Sequence, residues 1–150
     1  MRKNVMIRLT SVQRDESGED EKISLETPGI YGEEEGYSFV TYEETGLAGL
    51  EGTTTKLVCY PRRAVLSRSG NFLYEQEYVV GKTMKSYYDT PMGPLDLIVT
   101  TKEFTNTVVN GKGKIRIVYD VELDGIFKHL NEIIIDVWED IWKSEMSLKN

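Results

Sequence analysis

The arginine of the segment AVLSRSG is the residue with the most distinctive chemistry in this sequence. In a β-strand Arg68 lies on the same side as Ala64 and Leu66, because successive side chains point to opposite faces. That side is the more apolar one, so we expect Arg68 to point into the protein. A buried charge is costly unless it is paired. The sequence therefore predicts a partner for Arg68: a carboxylate, a tyrosine hydroxyl or the anionic group of a ligand.

Glu44, in the segment TYEETG, is the acid best suited to this pairing. Glu43 and Glu44 are neighbours on a predicted strand, so one of them points inward. Three interpretations of Arg68 stay open: a structural ion pair with Glu44, an anchor for a ligand carboxylate through its planar fork, and exposure to solvent. Catalysis by a pair of glutamates needs a carboxylate separation that a sequence does not give.

Tyrosines form the second group of interest, since the chain contains nine of them. Those on apolar faces of predicted strands are Tyr74, Tyr78, Tyr88 and Tyr119. A tyrosine inside a barrel offers an apolar ring and a hydroxyl, so it either fills the core or forms the floor of a pocket. The candidate ligand-binding residues are Arg68, Glu44, Tyr42, Tyr88 and Tyr119.

The sequence favours a protein that is not an enzyme. His129 and Cys59 are its single histidine and single cysteine, too few for a zinc site without several carboxylates. No GxSxG elbow is present, and GKGK lacks the spacing and the following helix of a phosphate loop. We therefore predict no catalytic residue, no metal and no cofactor. Cys59 alternates with Leu57, which predicts a buried structural thiol.

Charge and hydropathy exclude two classes of partner. The net charge is −7, and nine acids lie between Asp15 and Glu35, in what we expect to be a pair of solvated loops. Nucleic-acid binding depends on Lys and Arg that neutralise phosphates, so this balance opposes it. No apolar run resembles a signal peptide or approaches a membrane span. A cytoplasmic protein without a membrane partner is the expectation.

The strongest structural pattern is GKGKIRIVYDVELDG, from Gly111 to Gly125. Its apolar positions are Ile115, Ile117, Tyr119, Val121 and Leu123, and its charged ones are Lys114, Arg116, Asp120 and Glu122. A period of two over this length predicts a half-buried strand with the apolar set facing inward.

Similar patterns along the chain predict nine or ten strands joined by short turns. The second strand is expected to end at Thr27-Pro28-Gly29, Asn110-Gly111 predicts a type I′ hairpin, and IFKHLN, residues 126–131, predicts a short connection. Short turns favour antiparallel neighbours. The fold class is therefore all-β: an up-and-down antiparallel barrel of eight to ten strands, with a two-sheet sandwich as the alternative. The length suits one domain, residues 1–150, whose last residues 143–150 form a frayed tail.

Several segments together resemble the YwiB-like family of small bacterial proteins: FVTYEETG, GTTTKLVCYPRRAVLSRSG, YYDTPMGPLDLIVTTKEF, GKGKIRIVYDVELDG and LNEIIIDV. The matching positions are Tyr42, Glu44, Thr55, Arg68, Gly70, Tyr88, Thr90, Gly93 and Tyr119. The resemblance implies a calycin-like barrel, related in shape to lipocalins and fatty-acid-binding proteins. It brings no established function and gives none of these residues a role.

Two hypotheses of function follow. The first is a non-enzymatic binder of a small apolar or amphipathic molecule with an anionic group, held inside the barrel by Arg68 and the tyrosines. The second is a protein–protein interaction or scaffold module with a solid core, acting through its surface. A ligand pocket predicts a cavity of hundreds of cubic ångströms, and a solid core predicts none.

Overall fold

The computed structural model describes residues 1–44, 51–71, 73–90 and 93–140. These residues form ten β-strands and no helix, as the all-β prediction requires. In chain order the strands are β1 (Arg2–Arg14), β2 (Asp20–Glu34), β3 (Tyr37–Glu43), β4 (Thr53–Cys59), β5 (Arg63–Gly70), β6 (Tyr74–Val79), β7 (Thr83–Thr90), β8 (Gly93–Asn106), β9 (Gly113–Leu123) and β10 (Phe127–Glu139).

All ten strands belong to one antiparallel sheet, in the order β6-β5-β4-β3-β2-β1-β10-β9-β8-β7. Every ladder but one joins strands that are consecutive in the chain. The exception pairs β1 with β10, from Val5 opposite Glu139 to Arg14 opposite Leu130. The sheet curves until its edge strands, β6 and β7, come into contact. The result is a nearly closed barrel, which confirms the predicted fold and excludes the sandwich.

The junction between β6 and β7, called the seam below, has no strand ladder in the described part of the chain. Side chains link the two edges instead. Gln76 of β6 is 2% exposed, and its Oε1 accepts hydrogen bonds from the Ser86 hydroxyl of β7 at 3.0 Å and from the Tyr74 hydroxyl at 3.2 Å. Its Nε2 donates to the Glu77 carbonyl at 2.9 Å. A buried amide therefore bridges the place where backbone pairing stops.

Strand β9 follows the predicted alternation. Lys114 is exposed, whereas Ile117 is fully buried. The other inward-facing residues are buried less completely toward the end of the strand. Ile115 is 2% exposed, Tyr119 is 9% exposed, and Val121 and Leu123 are half-buried. The interior is thus built from one face of each strand, as a closed sheet demands.

The buried core lies mainly toward one end of the barrel, called the filled end below. The filled end carries the N-terminus and the connections β2–β3, β4–β5, β6–β7 and β8–β9. Its core includes Val5, Ile7, Tyr31, Val40, Leu57, Cys59, Ala64, Ile115 and Val137. The opposite end, the mouth end below, carries the other five strand connections. Ten strands enclose a wider cylinder than eight, so large side chains such as Tyr31 and Tyr78 are needed to fill it.

Strand β2 is longer than predicted. The expected end at Thr27-Pro28-Gly29 is wrong, because β2 pairs with β1 from Asp20 to Gly32 without a break. Its pairing with β3 covers only Ile30 to Glu34, so Pro28 lies where that edge of β2 has no neighbouring strand. Proline is tolerated in a strand at such a position. Most of the acidic residues that were expected in solvated loops therefore lie on strand β2, between Asp20 and Glu34.

The segment 126–131 is also different from the prediction. The turn Asp124-Gly125 has positive φ at both residues, 55° and 71°, and reverses the chain within two residues. Pairing resumes at Phe127 opposite Leu123, so His129 lies in β10 rather than in a connection. The Asn110-Gly111 turn, with φ of 53° and 79°, confirms the predicted type I′ hairpin. The predicted tail, residues 143–150, lies outside the described residues.

The seam yields a stability prediction. Replacing Gln76 with alanine leaves the Ser86 hydroxyl without its acceptor and opens a small gap between β6 and β7. We expect Gln76→Ala to lower the free energy of unfolding by about 1–3 kcal/mol, measured by urea denaturation. Glu75→Ala, an exposed change on the same strand, is the matched control and should cost less than about 0.5 kcal/mol. Equal effects of the two changes would show that the side-chain bridge does not hold the seam.

Candidate functional site

A cavity of about 460 Å³ occupies the mouth end of the barrel. Its apolar walls include Leu9, Leu25, Leu66, Leu97, Leu123 and Ile133. Its polar groups include Tyr42, Glu44, Arg68, Tyr74, Tyr78 and Tyr119. These residues come from eight of the ten strands, so the cavity exists only in the assembled barrel. We call it the mouth cavity.

Arg68 of β5 points into the mouth cavity with its side chain 26% exposed. Its Nε donates to the Thr55 hydroxyl at 3.3 Å and lies 3.7 Å from Oε1 of Glu44. The guanidinium carbon lies 5.8 Å from the centre of the Tyr74 ring. Within the described ranges, no hydrogen-bond partner is found for the two terminal nitrogens of Arg68. This edge of the guanidinium is the part that can receive an anion.

Glu44 is the buried member of the pair, with its side chain only 6% exposed. Its carboxylate accepts the Thr55 hydroxyl at 2.6 Å, and its backbone N–H donates to the Thr53 carbonyl at 2.8 Å. The register explains the arrangement, because Thr55 of β4 lies between Tyr42 of β3 and Arg68 of β5. Glu44 follows Tyr42 by two residues, so Thr55 lies between the Glu44 carboxylate and the Arg68 guanidinium and is hydrogen-bonded to both.

Two tyrosines of the mouth cavity, Tyr42 and Tyr78, are buried and uncharged. Burial, followed by the neighbouring Glu44 carboxylate, raises the pKa of Tyr42 well above its usual value. Burial likewise raises the pKa of Tyr78, which is 2% exposed. The rings of Tyr78 and Tyr119 lie 4.9 Å apart, and the Tyr119 hydroxyl accepts Nδ2 of Asn131 at 3.3 Å. Both rings line the cavity.

Four of the five candidate residues line the mouth cavity: Arg68, Glu44, Tyr42 and Tyr119. Tyr88 lies in β7 opposite Leu95, and its side chain is outside the described part of the structure. Their use in ligand binding stays a prediction. Sequence reasoning assigned no role to Thr55 and did not single out Gln76. Both lie on the apolar side of an alternating strand. This alternation, which indicates that their side chains point inward, was the only feature of the sequence that could have identified them.

Other reactive groups form no site. Cys59 is 3% exposed, as predicted, and burial raises the pKa of its thiol to about 12. The Nδ1 atom of His129 is buried without a hydrogen-bond partner in the described structure, beside Asp15. The described ranges contain no cluster of three or more potential metal ligands. They also contain no helix long and apolar enough to cross a bilayer.

The strand order and the cavity define a class: a small ten-stranded antiparallel β-barrel, nearly closed, with its buried core toward one end and the mouth cavity at the other. The chain belongs to the family described as Domain of unknown function (DUF1934), which matches residues 7–135. It is 27% identical over 131 residues to "Uncharacterized beta-barrel protein YwiB" of Bacillus subtilis (strain 168), covering 87% of this chain and 90% of that protein. The crystal structure of the Bacillus subtilis protein superposes with a TM-score of 0.80 at 25% identity and 92% coverage of both chains. The predicted resemblance is confirmed.

The ion pair of the mouth cavity yields a second stability prediction. Arg68→Met leaves the buried Glu44 carboxylate without a cation, and we expect a loss of about 1–3 kcal/mol in unfolding free energy at neutral pH. Adding Glu44→Gln removes the uncompensated charge and should restore most of that loss. Urea denaturation of both single variants and the double variant measures the coupling. Strictly additive effects would show that the two side chains do not interact.

Cys59 yields a third prediction, about reactivity. Only the thiolate reacts with iodoacetamide, and a thiol with a pKa near 12 is almost entirely protonated at pH 8. We expect alkylation of the folded protein to be slower than that of the urea-unfolded protein by on the order of a thousandfold. Because the chain has a single cysteine, mass spectrometry follows this site alone. Equal rates in the two states would mean that Cys59 is accessible.

Proposed function

We propose that this protein is a non-enzymatic binder of an amphipathic molecule with an anionic head group, held in the mouth cavity. The observation that carries the proposal is the geometry of Arg68. Its guanidinium faces a cavity with largely apolar walls, and its terminal nitrogens are unpartnered among the described residues. A planar fork with free N–H groups suits a carboxylate, sulfonate or phosphate.

The burial of the lining residues indicates how such a molecule would lie. Three polar groups of the lining have low exposure: Tyr78 is 2% exposed, Tyr42 is 8% exposed, and the Glu44 side chain is 6% exposed. The apolar Ile23, at the rim, is 58% exposed. A ligand would therefore place its head group inward, against Arg68 and the tyrosine hydroxyls, and its apolar part along the leucine walls. The cavity volume of about 460 Å³ lies within the range of small-molecule pockets.

The scaffold hypothesis rests on a solid core, and the open mouth end weighs against it. Two of the most exposed apolar side chains near that end, Leu73 and Ile126, are 83% and 73% exposed. They lie in different strand connections, and single exposed apolar residues are normal on protein surfaces. Binding inside the barrel would also be a lipocalin-like use of the fold. That analogy is weak by itself, so the proposal depends on the Arg68 geometry.

The experiment uses octane-1-sulfonate, which combines a permanent anionic head with an apolar chain. Isothermal titration calorimetry of the full chain is expected to show one site per molecule. Arg68→Met should weaken binding at least tenfold, because a charge-assisted hydrogen bond contributes about 1.5–3 kcal/mol. Arg63→Met is the matched control. Arg63 lies on the same strand, is exposed and pairs with Glu77 on the outer face, so its loss should leave affinity unchanged.

Octan-1-ol provides the second comparison, since it has the same chain without the charge. It should bind more weakly, and Arg68→Met should change its affinity little. Loss of sulfonate binding in Arg63→Met as well as Arg68→Met would indicate a general surface effect. Unchanged sulfonate affinity in a folded Arg68→Met variant would overturn the assignment of Arg68 as the anchor.

A further inference from the structure

The mouth cavity contains one acid that an anionic ligand must face. Oε1 of Glu44 lies 3.7 Å from Nε of Arg68 and accepts the Thr55 hydroxyl at 2.6 Å. A head group on the terminal nitrogens of Arg68 would bring a second negative charge close to this carboxylate. The Glu44 side chain is only 6% exposed, so water screens the repulsion poorly.

No other charge in the described lining offsets the second anion. Arg68 is the one cationic residue among the lining residues and Glu44 the one acid. The other titratable side chains that face them are Tyr42 of β3, Tyr74 and Tyr78 of β6 and Tyr119 of β9. From β4, Thr55 is hydrogen-bonded to both Glu44 and Arg68. The lining from β1, β2, β8 and β10 is apolar or hydroxyl-bearing. With an anion bound, the cavity would therefore hold two negative charges and one positive charge.

We infer that binding of an anionic ligand in the mouth cavity is coupled to the uptake of one proton by Glu44. This inference rests on the proposed function, because it concerns the same cavity and the same arginine. The proton comes from solvent and adds to a carboxylate oxygen, and no bond forms between ligand and protein. Protonated Glu44 can donate to the Tyr42 or Thr55 hydroxyl oxygen, so the pair Arg68⁺–Glu44⁻ is replaced by Arg68⁺–ligand⁻. The site then binds its ligand more tightly as the pH falls.

The test again uses octane-1-sulfonate, because a sulfonate keeps its charge from pH 5 to pH 8. Calorimetric titrations across that range should show a dissociation constant that becomes smaller as the pH is lowered, by up to tenfold per pH unit. Repeating each titration in two buffers of different ionisation enthalpy counts the protons taken up. At each pH that count should equal the slope of the logarithm of the dissociation constant against pH, and it should exceed the count of the variant described next.

Glu44→Gln is the decisive variant. It keeps an acceptor for Thr55 while removing the charge, so it should bind the sulfonate at pH 8 at least as tightly as the wild type does at pH 5. Its binding enthalpy should not depend on the buffer. Glu43→Gln is the matched control. Glu43 is the exposed neighbour bonded to Thr54, so this change should leave the wild-type pH dependence intact.

His129 is the one histidine of the sequence and lines a different pocket, beside Asp15. His129→Asn should therefore retain the pH dependence. Wild-type binding that does not vary with pH, weaker binding by Glu44→Gln, or a pH dependence abolished by His129→Asn would each overturn the coupling while leaving the proposed function standing. Absence of sulfonate binding by the wild type and by Glu44→Gln at every pH would overturn both.

Discussion

The antiparallel ladder between β1 and β10 is the constraint on which the rest of the structure depends. It joins the part of the sheet formed by β1–β6 to the part formed by β7–β10. A single curved sheet can therefore bring its own edges together. Once the sheet is closed, each strand has one inner face and one outer face. A slip of one residue in any ladder would exchange them. The register of β3, β4 and β5 therefore decides that Glu44, Thr55 and Arg68 meet inside the barrel rather than outside it.

We propose that the ion pair of the mouth cavity serves ligand binding rather than stability. Replacing a buried ion pair by well-packed apolar residues is often neutral or stabilising. The cylinder around Arg68 already contains leucines and isoleucines that could extend such packing. Instead, the chain keeps a guanidinium whose Nε is held by Thr55 and whose other edge faces the cavity. The charge is balanced, oriented and partly open to solvent, which are properties that a binding group needs.

The sequence predicted what depends on local alternation. The direction of Arg68 followed from its apolar neighbours on β5, and the barrel followed from many such strands with short turns. The misplaced boundaries have a different origin. Pro28 and the segment around His129 carry local signals for a break, but pairing with β1 and β9 overrides those signals. Thr55 and Gln76 were not identified as pairing groups because their partners come from neighbouring strands, and no local pattern specifies them.

The single long-range ladder also determines how the chain can fold. Eight of the nine ladders among the described residues join consecutive strands, so they form from hairpins with small loop-closure entropy. Strand β1 finds its second neighbour only when β10 arrives, which brings Val5 beside Glu139 from opposite ends of the described chain. Contacts of such sequence separation slow folding. Two curved half-sheets, β1–β6 and β7–β10, are thus the natural folding units, and the step that joins them is the step that creates the cavity.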